Sequence, residues 1–164
     1  MIIFLNFATI RSDQGKIANI ENNHIIPKGC CLGNPYKSPF QLESKNLLKK
    51  GEHGSEFFTT QVLYDSNNVI KMINNYQNRC NKFNTFPRRI LLSFAPVSSQ
   101  KNIDFLKWLG VEIPEHTEKY LQGRPGSMKE RSLDVAIEVL NEILAHIEDN
   151  NLRVPVGLNV EHIM

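Results

Sequence analysis

Short runs of apolar residues alternate along this chain with segments whose apolar positions recur every three or four residues. The runs are Ile2–Phe7, Ile25–Leu32 (interrupted by Pro27), Phe57–Tyr64, Ile90–Ala95 and Val154–Val160. They continue as apolar residues rather than alternating strictly with polar ones, the pattern of strands covered on both faces, as in parallel sheets. Between the later runs the period changes to that of helices. Over Ser66–Cys80, Val69, Ile70, Ile73, Tyr76 and Cys80 share a face, with Asp65-Ser66 as the cap. Over Ser99–Leu109, Ile103, Leu106 and Leu109 fall together and Gly110 stops the helix. A short helix is predicted to start at Pro114. The longest begins with Ser127-Met128-Lys129-Glu130, a capping box, and carries Leu133, Ile137, Leu140, Leu144 and Ile147 on the stripe expected to face the core. The polar stretch Glu148–Asn151 ends it. The predicted order is strand, helix, strand, helix, strand, two helices, strand, which implies parallel strands joined by crossovers.

Composition narrows the classes. Of 164 residues, 41% are hydrophobic and 22% charged, an ordinary globular balance. The net charge of +2 and a pI near 8.4 are too small, and the charges too scattered, for a nucleic-acid face. No run approaches the ~18 apolar residues of a membrane span. The start, Met1–Phe7, lacks a basic region and a small-residue cleavage site, so no secretory signal is expected and a cytoplasmic location is. Cys30, Cys31 and Cys80 are odd in number and have no metal-type spacing, which reads as buried thiols in a reducing compartment. Neither glycine-rich phosphate loop occurs.

In parallel α/β folds the working groups gather where strands end. Here those ends read Gly33-Asn34-Pro35-Tyr36, Thr59-Thr60-Gln61, Ser93-Phe94-Ala95-Pro96 and Asn159-Val160-Glu161-His162. Amides and hydroxyls with few charges suit a hydrogen-bonding heterocycle better than hydrolysis. A nucleophile would need a nearby base, and adjacent His162 and Glu161 face apart in a strand.

Several of these residues belong to recognisable motifs. The run Lys50-Gly51-Glu52-His53-Gly54-Ser55-Glu56-Phe57-Phe58-Thr59-Thr60-Gln61-Val62-Leu63-Tyr64-Asp65 resembles the pattern K-x-x-x-G-A-x-F-x-x-T-Q-x-x-[FY]-D of the methylenetetrahydrofolate reductase family. Arg89–Ser98 is similar to that family's next strand and its turn, Phe105–Glu115 to its G-V-x-[IV]-P junction, and Val154–Glu161 to its last barrel strand. The K-W-L-G and N-V-E elements fit most closely a reductase-like branch, and the likeness runs over about residues 25–164. The resemblance implies one domain, residues 1–164, forming part of a (β/α)8 TIM barrel. It implies about four parallel βα units, the second half of a barrel that takes about 250 residues when complete.

The same resemblance implies an oxidoreductase that passes a hydride from NAD(P)H through FAD to a folate-bound one-carbon unit. Gln61, Asn102 and Leu106 fall at folate-binding positions, Leu106 standing where an aromatic is frequent. Lys50, Glu43 and Tyr36 fall at FAD-binding positions. The family's proton-donating glutamate on the first strand and the aspartate near the flavin ring lie outside this stretch, its turn histidine is missing, and Val160 replaces an arginine. A weakly active or non-catalytic half barrel that binds folate or flavin is therefore the alternative expectation. Self-association, or pairing with a chain that supplies the other half, is expected from the strand edges such a half would expose.

Overall fold

The computed structural model describes residues 2–3, 40–123 and 125–163. The run at Ile25–Leu32, the paired thiols Cys30 and Cys31, and Tyr36 lie outside the described residues. Ten elements follow in chain order: β1 (Ile2–Ile3), α1 (Phe40–Glu52), β2 (Phe57–Val62), α2 (Asn67–Lys82), β3 (Arg89–Phe94), α3 (Gln100–Trp108), α4 (Glu115–Gln122), α5 (Met128–Asp149), β4 (Val156–Val160) and β5 (His162–Ile163). Three helices separate β3 from β4, the short α4 starting just after Pro114 where a short helix is predicted. No helix among the described residues is long and apolar enough to cross a membrane.

The main sheet has the order β2-β3-β4 and is parallel throughout. This is the α/β architecture expected of a partial (β/α)8 barrel. One pairing departs from expectation. The short β1 pairs with β5 in antiparallel sense, Ile2 opposite Ile163, in a separate two-stranded ladder. The Glu161 N–H still bonds Phe94 O at 2.8 Å, so β5 follows directly on the β3–β4 ladder before it meets β1.

Between β2 and β3 the register slips between Thr59 and Val62. At that irregularity the Ser93 backbone N–H is bonded by a side chain: Thr60 Oγ1 accepts it at 2.9 Å. Both residues are buried, so the hydroxyl supplies an acceptor that water cannot.

One face of the sheet is apolar. Phe58, Ile90, Leu92 and Phe94 are all buried, and they pack in one cluster with Leu47 of α1, Val69, Met72, Ile73 and Tyr76 of α2, Ile103 and Leu106 of α3, and Val139 and Ile143 of α5. Phe58 meets Tyr76 edge to face, ring centroids 5.9 Å apart at 84°. The Tyr76 hydroxyl accepts from the Arg88 N–H at 2.9 Å, and burial pushes its pKa up to about 12. Cys80, a free thiol, is fully buried at the end of α2, and burial raises its pKa as well.

The helix ends follow their sequences closely. Ser127 Oγ accepts from the Glu130 N–H at 3.2 Å while Glu130 Oε2 accepts from the Ser127 N–H at 2.8 Å, the reciprocal capping box of α5. Helix α3 ends at Gly110, φ +82°, with Gly110 N–H on Lys107 O and Val111 N–H on Leu106 O. Helices α2 and α5 end by the same device with asparagines, Asn84 at φ 50° and Asn151 at φ 49°. Asparagine tolerates that conformation better than most residues.

Two readings of the helices are corrected. Ser66 precedes α2 but makes no capping bond; its hydroxyl donates to Glu142, and Asp65 accepts from the Asn67 N–H at 3.2 Å instead. In α5 the buried line is Ser132, Val135, Val139 and Ile143, flanked by Ala136, Leu140 and Ile147. Leu133 and Leu144 are exposed, and Ile137 is 57% exposed. The helix carries two apolar stripes, and the line of Val135, Val139 and Ile143 is the one in the core.

The Thr60–Ser93 bond carries a direct expectation. Thr60→Val keeps the shape but strands a buried N–H, and should lower the unfolding free energy by about 1–3 kcal/mol, while Thr60→Ser should recover most of it. Urea unfolding of the two variants measures this; equal losses would show that the hydroxyl is not the relevant atom.

Candidate functional site

Parallel register brings the carboxyl ends of the three strands to one level. Ser93 of β3 is opposite Asn159 of β4, and Gln61 sits in the irregular segment of β2 beside them. Strands lie about 5 Å apart, so β2 and β4 are separated by roughly 10 Å across this rim.

Each side chain predicted for folate has a defined place. Gln61 is half-buried; its Nε2 donates to Leu109 O at 3.4 Å, just past the end of α3, and its Oε1 accepts from the Val62 N–H at 3.2 Å. These are long, weak bonds, which a ligand with better geometry can replace. Asn102 is in the first turn of α3, where its Oδ1 accepts from Ser99 Oγ at 2.8 Å and lies 3.3 Å from both Ser98 N and Oγ. Its carbonyl closes the turn, leaving the amide NH2 as the half to offer outward. Leu106 is 1% exposed and belongs to the core. The exposed aromatics of this helix are its neighbours: Trp108 lies on the surface, stacked on Phe105 with centroids 6.0 Å apart at 21°.

The pair predicted for the flavin cofactor is elsewhere. Glu43 and Lys50 lie seven residues apart, two turns along one face of α1, with Lys50 Nζ 3.9 Å from Glu43 Oε1. Glu43 is 5% exposed, and its Oε1 has no hydrogen-bond partner. The Lys50 carbonyl accepts from the Ser55 N–H, which sets Lys50 at the amino end of β2, away from Gln61. A buried carboxylate oxygen lacking a donor fits a sugar hydroxyl, and an ammonium beside it fits a phosphate.

A cluster not singled out from the sequence lies at the rim itself. Asn159 Nδ2 donates to Ser93 Oγ at 3.0 Å and to Glu161 Oε1 at 3.1 Å, linking the two. Ser93 is fully buried and Glu161 only 7% exposed. Burial raises the Glu161 pKa, and the polar Ser93 and Asn159 side chains beside it partly offset that rise. The signal was legible in part, since Ser93, Asn159 and Glu161 all stand at strand ends; only the register shows that they touch.

The chain is thus a partial (β/α)8 barrel whose rim is polar and weakly charged, made of amides, hydroxyls and one buried carboxyl. The chain belongs to the methylenetetrahydrofolate reductase family, whose model matches residues 9–155. It is similar to methylenetetrahydrofolate reductase 1 of Schizosaccharomyces pombe, 25% identical over 129 residues, which cover 73% of this chain and 21% of that protein. A solved structure of an uncharacterised protein from Clostridium thermocellum that binds two copies of 5-methyl-5,6,7,8-tetrahydrofolic acid superposes with a TM-score of 0.70 at 22% identity. The match covers 81% of this chain and 46% of that one, so the chain spans under half the length of either relative.

Glu161 gives a pH signature of its own. Its folded pKa is raised, so its contribution to stability is fully present below the unfolded value, about 4.3, and is lost as pH rises through the folded value. Glu161→Gln removes that loss. The variant should be at least as stable as the parent at pH 7, with its advantage shrinking toward pH 4. Thermal unfolding across that range checks it; an advantage that grows on acidification would mean the carboxyl is stabilised as the anion.

Proposed function

We propose that this chain is the folate-recognising part of a flavin-dependent, methylenetetrahydrofolate reductase-like oxidoreductase of the cytoplasm. The observation that carries the reading is Gln61: an amide, donor and acceptor together, held by replaceable bonds at the strand end where a barrel binds its ligand. The tetrahydrofolate bound by the similar clostridial protein is the class of ligand such an amide reads.

FAD would be held by Lys50 and Glu43 on α1, with Tyr36 as a third contact. FAD, when bound, would supply the hydride chemistry between NAD(P)H and the folate's one-carbon unit. The chain's own share is to orient the heterocycle through Gln61 and the NH2 of Asn102. A second reading, a folate- or flavin-binding module without turnover, is favoured by the burial of Leu106 in the core, which leaves the family's frequent aromatic position without a face toward ligand.

Three measurements test this. Gln61→Ala should weaken binding of 5-methyltetrahydrofolate by titration calorimetry about tenfold or more, and change stability by under about 1 kcal/mol. Unchanged affinity would return Gln61 to a structural role. Purified protein should show flavin absorption bands that fade in Lys50→Ala; flavin binding without reduction by NAD(P)H would select the binding-module reading. Leu158 and Val160, half exposed on edge strand β4, and the outward stripe of α5 should drive self-association or pairing with a complementary half barrel. A monomer in sedimentation at micromolar concentration would count against that.

A further inference from the structure

The rim holds a carboxyl that the folate reading above leaves without a task. We propose that Ser93, Asn159 and Glu161 form a second recognition station, which accepts hydrogen bonds from the ring N–H and exocyclic amino group of a folate-type heterocycle bound beside Gln61. This rests on the folate reading and assigns the station the edge of the ligand that it contacts.

The geometry points to donors on the ligand. Glu161 is nine-tenths buried, yet no cation pairs with it among the described residues; its carboxyl accepts from Asn159. Removing a carboxyl from water without a cation is unfavourable, and a core with no other use for it would carry an apolar residue or an amide there. An ionised carboxyl has about four acceptor positions, and Asn159 occupies one. The Asn159 carbonyl has no partner among the described residues, its NH2 being spent on Ser93 and Glu161. With Ser93 fully buried, the groups left to a ligand are the Glu161 oxygens and the Asn159 carbonyl, all acceptors.

Asn159 is what fixes this polarity. Its NH2 is shared between Ser93 Oγ and Glu161 Oε1, which turns its carbonyl away from both. The station is about two strand spacings, roughly 10 Å, from the strand that carries Gln61. A fused heterocycle laid across β3 can thus meet an amide at one end and acceptors at the other. Fusion of an amino group to a ring amide places two parallel N–H bonds on one side, the complement of a carboxylate's two oxygens.

The test uses the full 164-residue chain and two probes, 5-methyltetrahydrofolate and its analogue lacking the 2-amino group, by titration calorimetry. The parent should bind the first probe roughly ten- to a hundredfold more tightly than Glu161→Gln does. For the second probe that difference should largely vanish, since the donor it served is gone. Ser93→Ala, which leaves the carboxyl in place but removes the acceptor that helps hold Asn159, should fall between the two with the first probe. Equal binding of the first probe by parent and Glu161→Gln would overturn the station and leave Gln61 as the reader. So would a loss that persists undiminished with the second probe. If the parent binds neither probe, the folate reading itself fails, and the station with it.

Discussion

Strand β3 has no free edge: its backbone is bonded to β2 on one side and to β4 on the other, so its side chains can only project above or below the sheet. Ile90, Leu92 and Phe94 go to the face covered by helices, and the buried area they share with α2, α3 and α5 is what ties those helices to the sheet. Ser93 goes to the other face, and its position there decides where Asn159 and Glu161 are held. Were β3 to slip by one residue, apolar and polar faces would exchange, and both core and rim would be lost together. The Thr60 hydroxyl that bonds the Ser93 N–H guards the one place where the register is irregular.

In the function proposed, binding is divided between strand ends and helix. The rim groups of β2, β3 and β4 are short side chains on rigid strands, suited to fixed hydrogen-bond directions. Lys50 is in the last turn of α1, near the opposite end of β2 from Gln61, and Glu43 is in the first turn of that helix. A long cofactor reaching between them would cross the flank of the barrel, whereas a single heterocycle needs the rim alone. The two ligand classes therefore make separable demands on the fold.

Much of the fold was legible because local rules and tertiary packing agree. The capping box at Ser127, the stop at Gly110 and the apolar face of α2 from Val69 to Cys80 all needed only nearest neighbours. Helix α5 shows where local reading fails: Leu133, Ile137 and Leu144 are spaced as well for a stripe as Val135, Val139 and Ile143, and only the position of the core selects the second set. Helix α1 was not delimited in advance, although Leu47 and Leu48 within it meet the core. At the site, Gln61 was visible through its motif. The contact between Ser93 and Asn159 spans 66 residues, and no local pattern encodes a register.

The buried thiol of Cys80 makes the layer of α1 and α2 on this sheet open to timing. Thiolate is the reactive form, and burial both shields the sulfur and disfavours that form. A sulfhydryl reagent can modify it only in molecules whose helical layer has momentarily lifted from β2. Its rate of capture is then a clock for that opening, and peptide mapping separates it from the paired thiols at Cys30 and Cys31. Occupancy of the rim, if it stiffens the sheet beneath, would be heard as a slower tick from the far side of the molecule.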